Sequence, residues 1–100
     1  MYRRKEKYKT EEEKREAVMR DSCNILNIHN PSEELIKLAV ERSPSIILEI
    51  FNPSEELIRL AVERDPDVIG VIYNPSQEIL DYVYKNHRAV FDKYFEKVES

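Results

Sequence analysis

The sequence predicts an all-α fold, a small α-solenoid of about four 22-residue helix–turn–helix repeats with polar end caps. The main observation is that residues 30–51 (NPSEELIKLAVERSPSIILEIF) and 52–73 (NPSEELIRLAVERDPDVIGVIY) are identical at fifteen of their 22 positions. The same period continues into two weaker copies, at 8–29 and 74–95. The chain also has one glycine and no tryptophan, which disfavours a turn-rich β fold. Tandem units of this length bury their apolar surfaces against one another.

We expect residues 1–9 to form a basic N-terminal tail and residues 10–100 to form a single helical-repeat domain. In the first unit, Glu13, Lys14 and Glu16 stand where the central units have leucine or isoleucine, so its outward face is polar. The last unit ends in a helix with one apolar stripe and a charged back. Repeat stacks need polar ends to stay soluble and to stop growing. The divergent end units are therefore interpreted as caps.

Each unit carries a signal for a helix start. In the second unit we expect Asn30 to be the N-cap, Pro31 the first helical residue and Glu33 the third. This pattern is a capping box with asparagine in the capping position. The signal recurs in the other units, as Thr10 with Glu13, Asn52 with Glu55, and Asn74 with Gln77.

The helix after each start is amphipathic. Over residues 31–42, apolar side chains fall on one broad side at about 100° per residue, and charged side chains fall on the other. Glu33 and Lys37 form the favourable acid-first i,i+4 pair, and Glu55 and Arg59 repeat it. The pattern predicts a helix that is buried on one side and solvated on the other.

A second, shorter helix of seven or eight residues is expected in each unit. The pairs at 43–44 (Ser-Pro) and 65–66 (Asp-Pro) each place an N-capping residue before a proline at the first helical position. The residues that follow are apolar nearly all round, which predicts burial between neighbouring units. Gly70 replaces a leucine in this segment, and we expect close packing against a neighbour to be the reason.

The net charge of −4 is unevenly distributed. Residues 1–9 carry five basic residues and one acid, or +4, which leaves −8 for residues 10–100. An acidic body disfavours general nucleic-acid binding, because that affinity comes mostly from neutralised phosphates. It suits a partner with a basic surface, or serves solubility alone.

Residues able to carry catalysis or to bind a metal are few and scattered. Cys23 lies in the first turn of a short helix, and the only base near it in the sequence is His29. His29 takes the place of Phe51 and Tyr73, a position that we expect to be semi-buried, and His87 takes the place of a helix start. We therefore predict that the chain is not an enzyme and has no catalytic residue, metal site or cofactor.

The expected environment follows from three features of the sequence. The single cysteine fits a reducing compartment. The basic N-terminus is not followed by an apolar run, which argues against a signal peptide. No stretch approaches the roughly 18 apolar residues that a membrane span needs. We expect a cytoplasmic protein with no membrane contact.

Stacking of the units would align equivalent side chains, and these are the candidate partner-binding residues. One set is acidic and lies in the first turn of each first helix, where acids are stabilised in any case: Glu12, Glu34, Glu56 and Glu78. A weaker set is basic and lies at the helix C-termini, where cations interact favourably with the helix dipole: Arg20, Arg42 and Arg64. A third set consists of tyrosines of the last unit that serve either as core or as an interface: Tyr82, Tyr84 and Tyr94.

The NPSEELIKLAVERSPSIILEIF unit resembles the short NPS-E-E helical repeats of uncharacterised bacteriophage and bacterial proteins. It is also similar to the bacterial leucine-rich repeat variant, whose units join an NP-opened α-helix to a short DP-opened helix. The resemblance covers residues 30–95 well and 10–29 loosely. It implies a helical-repeat fold and carries over no catalytic residue.

These observations predict a protein–protein interaction module. The phage resemblance implies a small adaptor or inhibitor that binds a protein in the host cytoplasm. One alternative is a structural module that forms homodimers or larger oligomers. A second alternative is nucleic-acid contact through the basic residues of the tail: Arg3, Arg4, Lys5, Lys7 and Lys9.

Overall fold

The structure is a computed structural model that describes Tyr2 and residues 7–96. This part of the chain is helical and contains no strand, so the all-α prediction is confirmed. Four α-helices of ten residues are each followed by a shorter helix. The ten-residue α-helices are α1 (Glu11–Arg20), α2 (Glu33–Arg42), α3 (Glu55–Arg64) and α4 (Gln77–Asn86). The shorter helix after α4 is also an α-helix, α5 (Arg88–Tyr94). The shorter helices after α1, α2 and α3 are 3₁₀ helices, which we number in chain order: the first is Ser22–Asn27, the second Pro44–Glu49 and the third Pro66–Val71.

Helices α2, α3 and α4 begin two residues later than predicted. Ser32, not Asn30, is the N-cap of α2, and its hydroxyl accepts a hydrogen bond from the Leu35 backbone N–H at 3.2 Å. The same serine cap begins α3 and α4. The capping box with Glu33 is therefore wrong, since the third helical residue is Leu35. In α1 the predicted cap is confirmed, because Thr10 accepts from the Glu13 N–H.

The asparagine of each Asn-Pro-Ser motif has a different role. Asn30, Asn52 and Asn74 have φ values of 54°, 50° and 53°. This left-handed region is costly for most L-residues, and asparagine tolerates it better than others. The following proline has a fixed φ and serine then caps the helix, so the three residues turn the chain from one unit into the next.

The short second helices of the first three units are 3₁₀ helices of six residues, where the sequence predicted seven or eight. The prolines at their first position are confirmed. Asp65 caps its helix through its side chain, whereas Ser43 forms no such bond. Only the last unit has a seven-residue α-helix, α5. In 3₁₀ geometry, with three residues per turn, the side chains at i and i+3 lie directly above one another.

The core lies between the α-helices and the short helices, and successive helices pack against their neighbours. Ala17, Ala39 and Ala61 are fully buried at equivalent positions in the first three α-helices. Small side chains at these positions let neighbouring helices approach closely. The buried residues form two clusters, and Ile58 and Ile72 pack against both.

Helix α5 packs onto the third 3₁₀ helix. The Tyr94 ring lies directly over Gly70, where a Cβ atom would overlap the ring. The Tyr94 hydroxyl donates to Asp67 at 3.1 Å, and Lys93 forms an ion pair with the same carboxylate at 3.5 Å. The prediction that Gly70 permits close packing is confirmed.

Candidate interaction surfaces

The acidic residues Glu12, Glu34, Glu56 and Glu78 are all exposed, as expected for a solvated first turn. Two of them form ion pairs with the preceding helix. Glu56 binds Lys37 at 2.9 Å, and Glu78 binds Arg59 at 3.1 Å. The hydrogen bond from Lys37 to Glu56 and the charge of that carboxylate raise the pKa of Lys37. Half of the acidic set is therefore compensated by cations of the chain itself.

These ion pairs also correct a prediction. Lys37 was expected to pair with Glu33 on its own helix, and Arg59 with Glu55. Instead, each cation pairs with the glutamate of the next α-helix. Glu55 takes another partner, since its carboxylate accepts a hydrogen bond from the Ser76 hydroxyl. Ser32 donates in the same way to Glu11 at 3.0 Å, so polar contacts link consecutive helix starts.

The basic residues Arg20, Arg42 and Arg64 are exposed at the last position of α1, α2 and α3. The first two line one open groove, together with Asp21 and Glu41. Two positive and two negative side chains therefore meet there, so this groove has no strong net charge. The third, Arg64, lies outside the groove.

The tyrosines of the last unit contact other side chains of the same unit or of its neighbour. Tyr82 is half-buried and meets the His87 ring edge-on, with 5.7 Å between centroids. Tyr84 is half-buried against Phe91 at 5.0 Å, and the Arg88 guanidinium lies 4.2 Å from the centroid of its ring. Tyr94 keeps 39% of its surface exposed, with its hydroxyl bonded to Asp67. All three rings thus contribute to packing within the last two units.

Phe51 and Tyr73 differ most from their predicted environment. Both are 96% exposed, although a semi-buried position was predicted. The reason is that the 3₁₀ helix has already ended, and Ile50 and Ile72 are extended with ψ of 127°. In an extended backbone consecutive side chains point to opposite sides, so the isoleucine faces the core and the aromatic residue faces solvent.

His29 is exposed at the equivalent position of the first unit, so its predicted semi-buried environment is also wrong. The signal for this exposure was present in the Asn-Pro pair that follows each aromatic residue. A left-handed asparagine cannot continue a helix, and the residue before it lies at the turn.

Other exposed apolar side chains lie on the 3₁₀ segments beside these aromatics. Leu26 and Leu48 are each 48% exposed and Val71 is 60% exposed. We refer to this set as the apolar row: Leu26, Leu48, Phe51, Val71 and Tyr73. Single exposed hydrophobic residues are ordinary, but several on adjacent segments are typical of an interaction surface.

Within the segments that carry the apolar row, the charged residues have one sign. The three stretches 21–32, 43–54 and 65–76, which contain the 3₁₀ helices and the turns after them, have no lysine or arginine. Their charged residues are all acidic and all exposed: Asp21, Glu49, Asp65 and Asp67. Every lysine and arginine of residues 30–73 lies instead on α2 or α3. The α-helices are thus of mixed charge, whereas the 3₁₀ segments themselves are apolar and acidic. Lys93 of α5 lies beside the third of these segments, where it is paired with Asp67.

The residues considered for chemistry are dispersed. Cys23 is exposed, and its backbone N–H donates to Asp21. His87 is half-buried at the N-cap of α5 and forms no side-chain capping bond. Among Tyr2 and residues 7–96, no three histidine, cysteine or acidic side chains lie close enough to hold a metal ion. No helix in this part of the chain has the length and apolar character to cross a membrane.

Only part of the basic tail falls within the structure. Tyr8 is half-buried against the core, and Lys7 lies 5.6 Å from the centroid of its ring. Arg3, Arg4 and Lys5 lie outside the described residues.

The chain matches no known family model, and neither a curated protein nor a solved structure with significant similarity was found.

Proposed function

We propose that the chain is a protein-binding module, built as a capped solenoid of four helical units, that acts as a small adaptor or inhibitor. The observation that carries the proposal is the 96% exposure of Phe51 and Tyr73 at equivalent positions of neighbouring units. Aromatic side chains each bury about 150–250 Å² in an interface and are enriched at hot spots. Leaving two of them in water has no benefit for the folded monomer.

The repeat supports the solenoid part of this proposal. The serine caps, the left-handed asparagines and the exposed aromatics all recur at 22-residue spacing. In stacked units, equivalent surface residues form rows along the array, and repeat proteins bind their partners through such rows. A row of two or three positions suits a short segment of a partner.

The test compares capture of proteins from a cell extract by the native chain and by the double variant Phe51→Ser/Tyr73→Ser. The matched control is Glu41→Ser/Glu63→Ser, which changes two exposed residues at another pair of equivalent positions on the α-helices. The free energy of unfolding of both variants should lie within about 0.5 kcal/mol of the native value, because the substituted side chains are exposed.

We expect the control to retain proteins that the aromatic variant loses, as measured by quantitative mass spectrometry. If the aromatic variant captures the same proteins in the same amounts, Phe51 and Tyr73 are not a binding surface. A native chain that sediments as a stable oligomer, with no captured protein, would instead support the structural alternative.

A further inference from the structure

We propose that the apolar row binds a segment of another protein that combines arginine or lysine with apolar side chains. This inference rests on the proposed protein-binding function and assigns both the side of the molecule and the chemistry of the partner. This surface differs from the glutamates of the α-helices, which the sequence alone favours as the site for a basic partner.

The charge of the 3₁₀ segments favours a basic partner. On the α-helical side, Glu56 and Glu78 are already paired with Lys37 and Arg59, so an incoming cation must compete with cations of the chain. On the 3₁₀ side, the stretches 21–32, 43–54 and 65–76 contain no cation. Complementary charge there attracts a basic partner and disfavours an acidic one.

Glu49 is the acid best placed to select that partner. It lies between Leu48 and Phe51 in the sequence and is exposed, and no ion pair to it is found among the described residues. The other acids of this side have partners. Asp67 binds Lys93 and Tyr94, while Asp21 and Asp65 each accept a backbone hydrogen bond that caps a 3₁₀ helix.

The exposed aromatic rings also favour a partner that carries cations. A guanidinium or ammonium group is attracted to the face of an aromatic ring within about 6 Å of its centroid. The chain uses this contact itself, since Arg88 lies 4.2 Å from the centroid of the Tyr84 ring. The rings of Phe51 and Tyr73 are exposed and have no lysine or arginine in their own segments. A partner cation can therefore occupy positions that the chain leaves open.

The spacing of the units suits a short extended segment of a partner. The axes of packed neighbouring helices are separated by roughly 8–10 Å, which sets the approximate spacing of equivalent residues such as Phe51 and Tyr73. An extended chain advances about 3.3 Å per residue, so about three residues of a partner reach from one unit to the next. Apolar side chains of the same segment can then contact Leu48 and Val71, which are 48% and 60% exposed.

The test uses the variant Phe51→Trp as a reporter, because the chain has no tryptophan of its own. The probe is a short synthetic peptide that alternates arginine with leucine. Control peptides replace arginine with glutamate, or leucine with serine. We expect a saturable blue shift of the tryptophan emission with the arginine–leucine peptide, and weak or no response to either control peptide.

The decisive comparison is between two charge reversals in the reporter background, Glu49→Lys and Glu34→Lys. Both change an exposed glutamate and alter the net charge equally, but Glu34 lies on α2. Glu49→Lys should weaken the affinity for the arginine–leucine peptide by about tenfold, which corresponds to about 1.4 kcal/mol of binding free energy. Glu34→Lys should change the affinity by less than about twofold. Equal weakening by both variants would mean general attraction to an acidic protein and would overturn the proposed site.

Two further outcomes separate this inference from the proposed function. If the peptide fails to bind while a captured protein still depends on Phe51 and Tyr73, the partner chemistry is wrong and the binding function stands. If the native chain self-associates and Phe51→Ser/Tyr73→Ser abolishes that association, the surface belongs to a second copy of the chain. That result, measured by sedimentation, also overturns the inference.

Discussion

The contact between Tyr94 and Gly70 leads to a sharp prediction for Gly70→Ala. A glycine inside a helix normally destabilises it by roughly 0.5–1 kcal/mol relative to alanine, so the substitution alone should be stabilising. Here the added methyl group overlaps the Tyr94 ring, and that ring must move. Whether the substitution stabilises or destabilises the fold depends on the packing and hydrogen bonding that the displaced ring loses.

The loss can be worked out from the exposure of Tyr94. The side chain keeps 39% of its surface exposed, so about three-fifths is covered. Three-fifths of a tyrosine surface is about 120 Å², which at about 25 cal/mol per Å² gives an upper limit of about 3 kcal/mol. The hydrogen bond to Asp67 adds about 1 kcal/mol at most at this exposed site. Because the ring shifts and is not deleted, we expect a net destabilisation of about 1–2 kcal/mol.

The assay is urea denaturation followed by circular dichroism, in a double-mutant cycle with Tyr94→Ala. In the Tyr94→Ala background the overlap is absent, so Gly70→Ala should be neutral or stabilising by up to about 1 kcal/mol. Gly70→Ala should therefore lower the free energy of unfolding when Tyr94 is present, but not when Tyr94 is replaced by alanine. A Gly70→Ala variant that is stabilised in the native background would refute the argument that the ring is held in place over the glycine.

The remaining predictions concern the caps, the ion pairs and the core. Ser54→Ala should destabilise α3 by about 1 kcal/mol, because it removes the N-cap. Asn52→Gly should be nearly neutral, because glycine accepts the left-handed φ. Thermal unfolding distinguishes the two variants, and equal effects would contradict the assigned cap. Glu56 raises the pKa of Lys37, so the stabilisation from this pair is present below the ordinary lysine value of 10.5 and is lost as pH rises through the raised pKa. Urea denaturation at increasing alkaline pH should show that loss in the native chain, and the loss should be smaller in Glu56→Gln. Ala61→Met should destabilise by about 1–3 kcal/mol by overpacking, and an unchanged urea midpoint would mean that α3 is not tightly packed there.

The sequence was sufficient for the class of fold and for the burial of the α-helices. The apolar residues recur with helical spacing, and only a helix places Leu35, Ala39 and Val40 on one side. The first residues of α2, α3 and α4 could not be predicted correctly, because Asn-Pro-Ser contains two residues that can cap a helix. Backbone conformation decided between them, since the asparagine takes the left-handed conformation and leaves the capping position to the serine.

The apolar row could not be predicted from the pattern of residues alone. Short apolar runs have nearly the same composition in an α-helix and in a 3₁₀ helix, so the pattern predicts a buried segment that ends in a semi-buried aromatic residue at Phe51. The change to an extended backbone at Ile50 reverses the direction of the next side chain. The ion-pair partners were missed for a related reason, because the choice between Glu33 and Glu56 as partner of Lys37 depends on how neighbouring helices stack.

The Asn-Pro turns also affect the chemical ageing of the protein. An exposed asparagine in a flexible turn commonly deamidates when the backbone nitrogen of the next residue attacks its side-chain carbonyl. At Asn30, Asn52 and Asn74 the next residue is proline, whose tertiary nitrogen has no hydrogen to lose and cannot close that ring. The residue that fixes the conformation of each turn thus also protects the asparagine on which the turn depends.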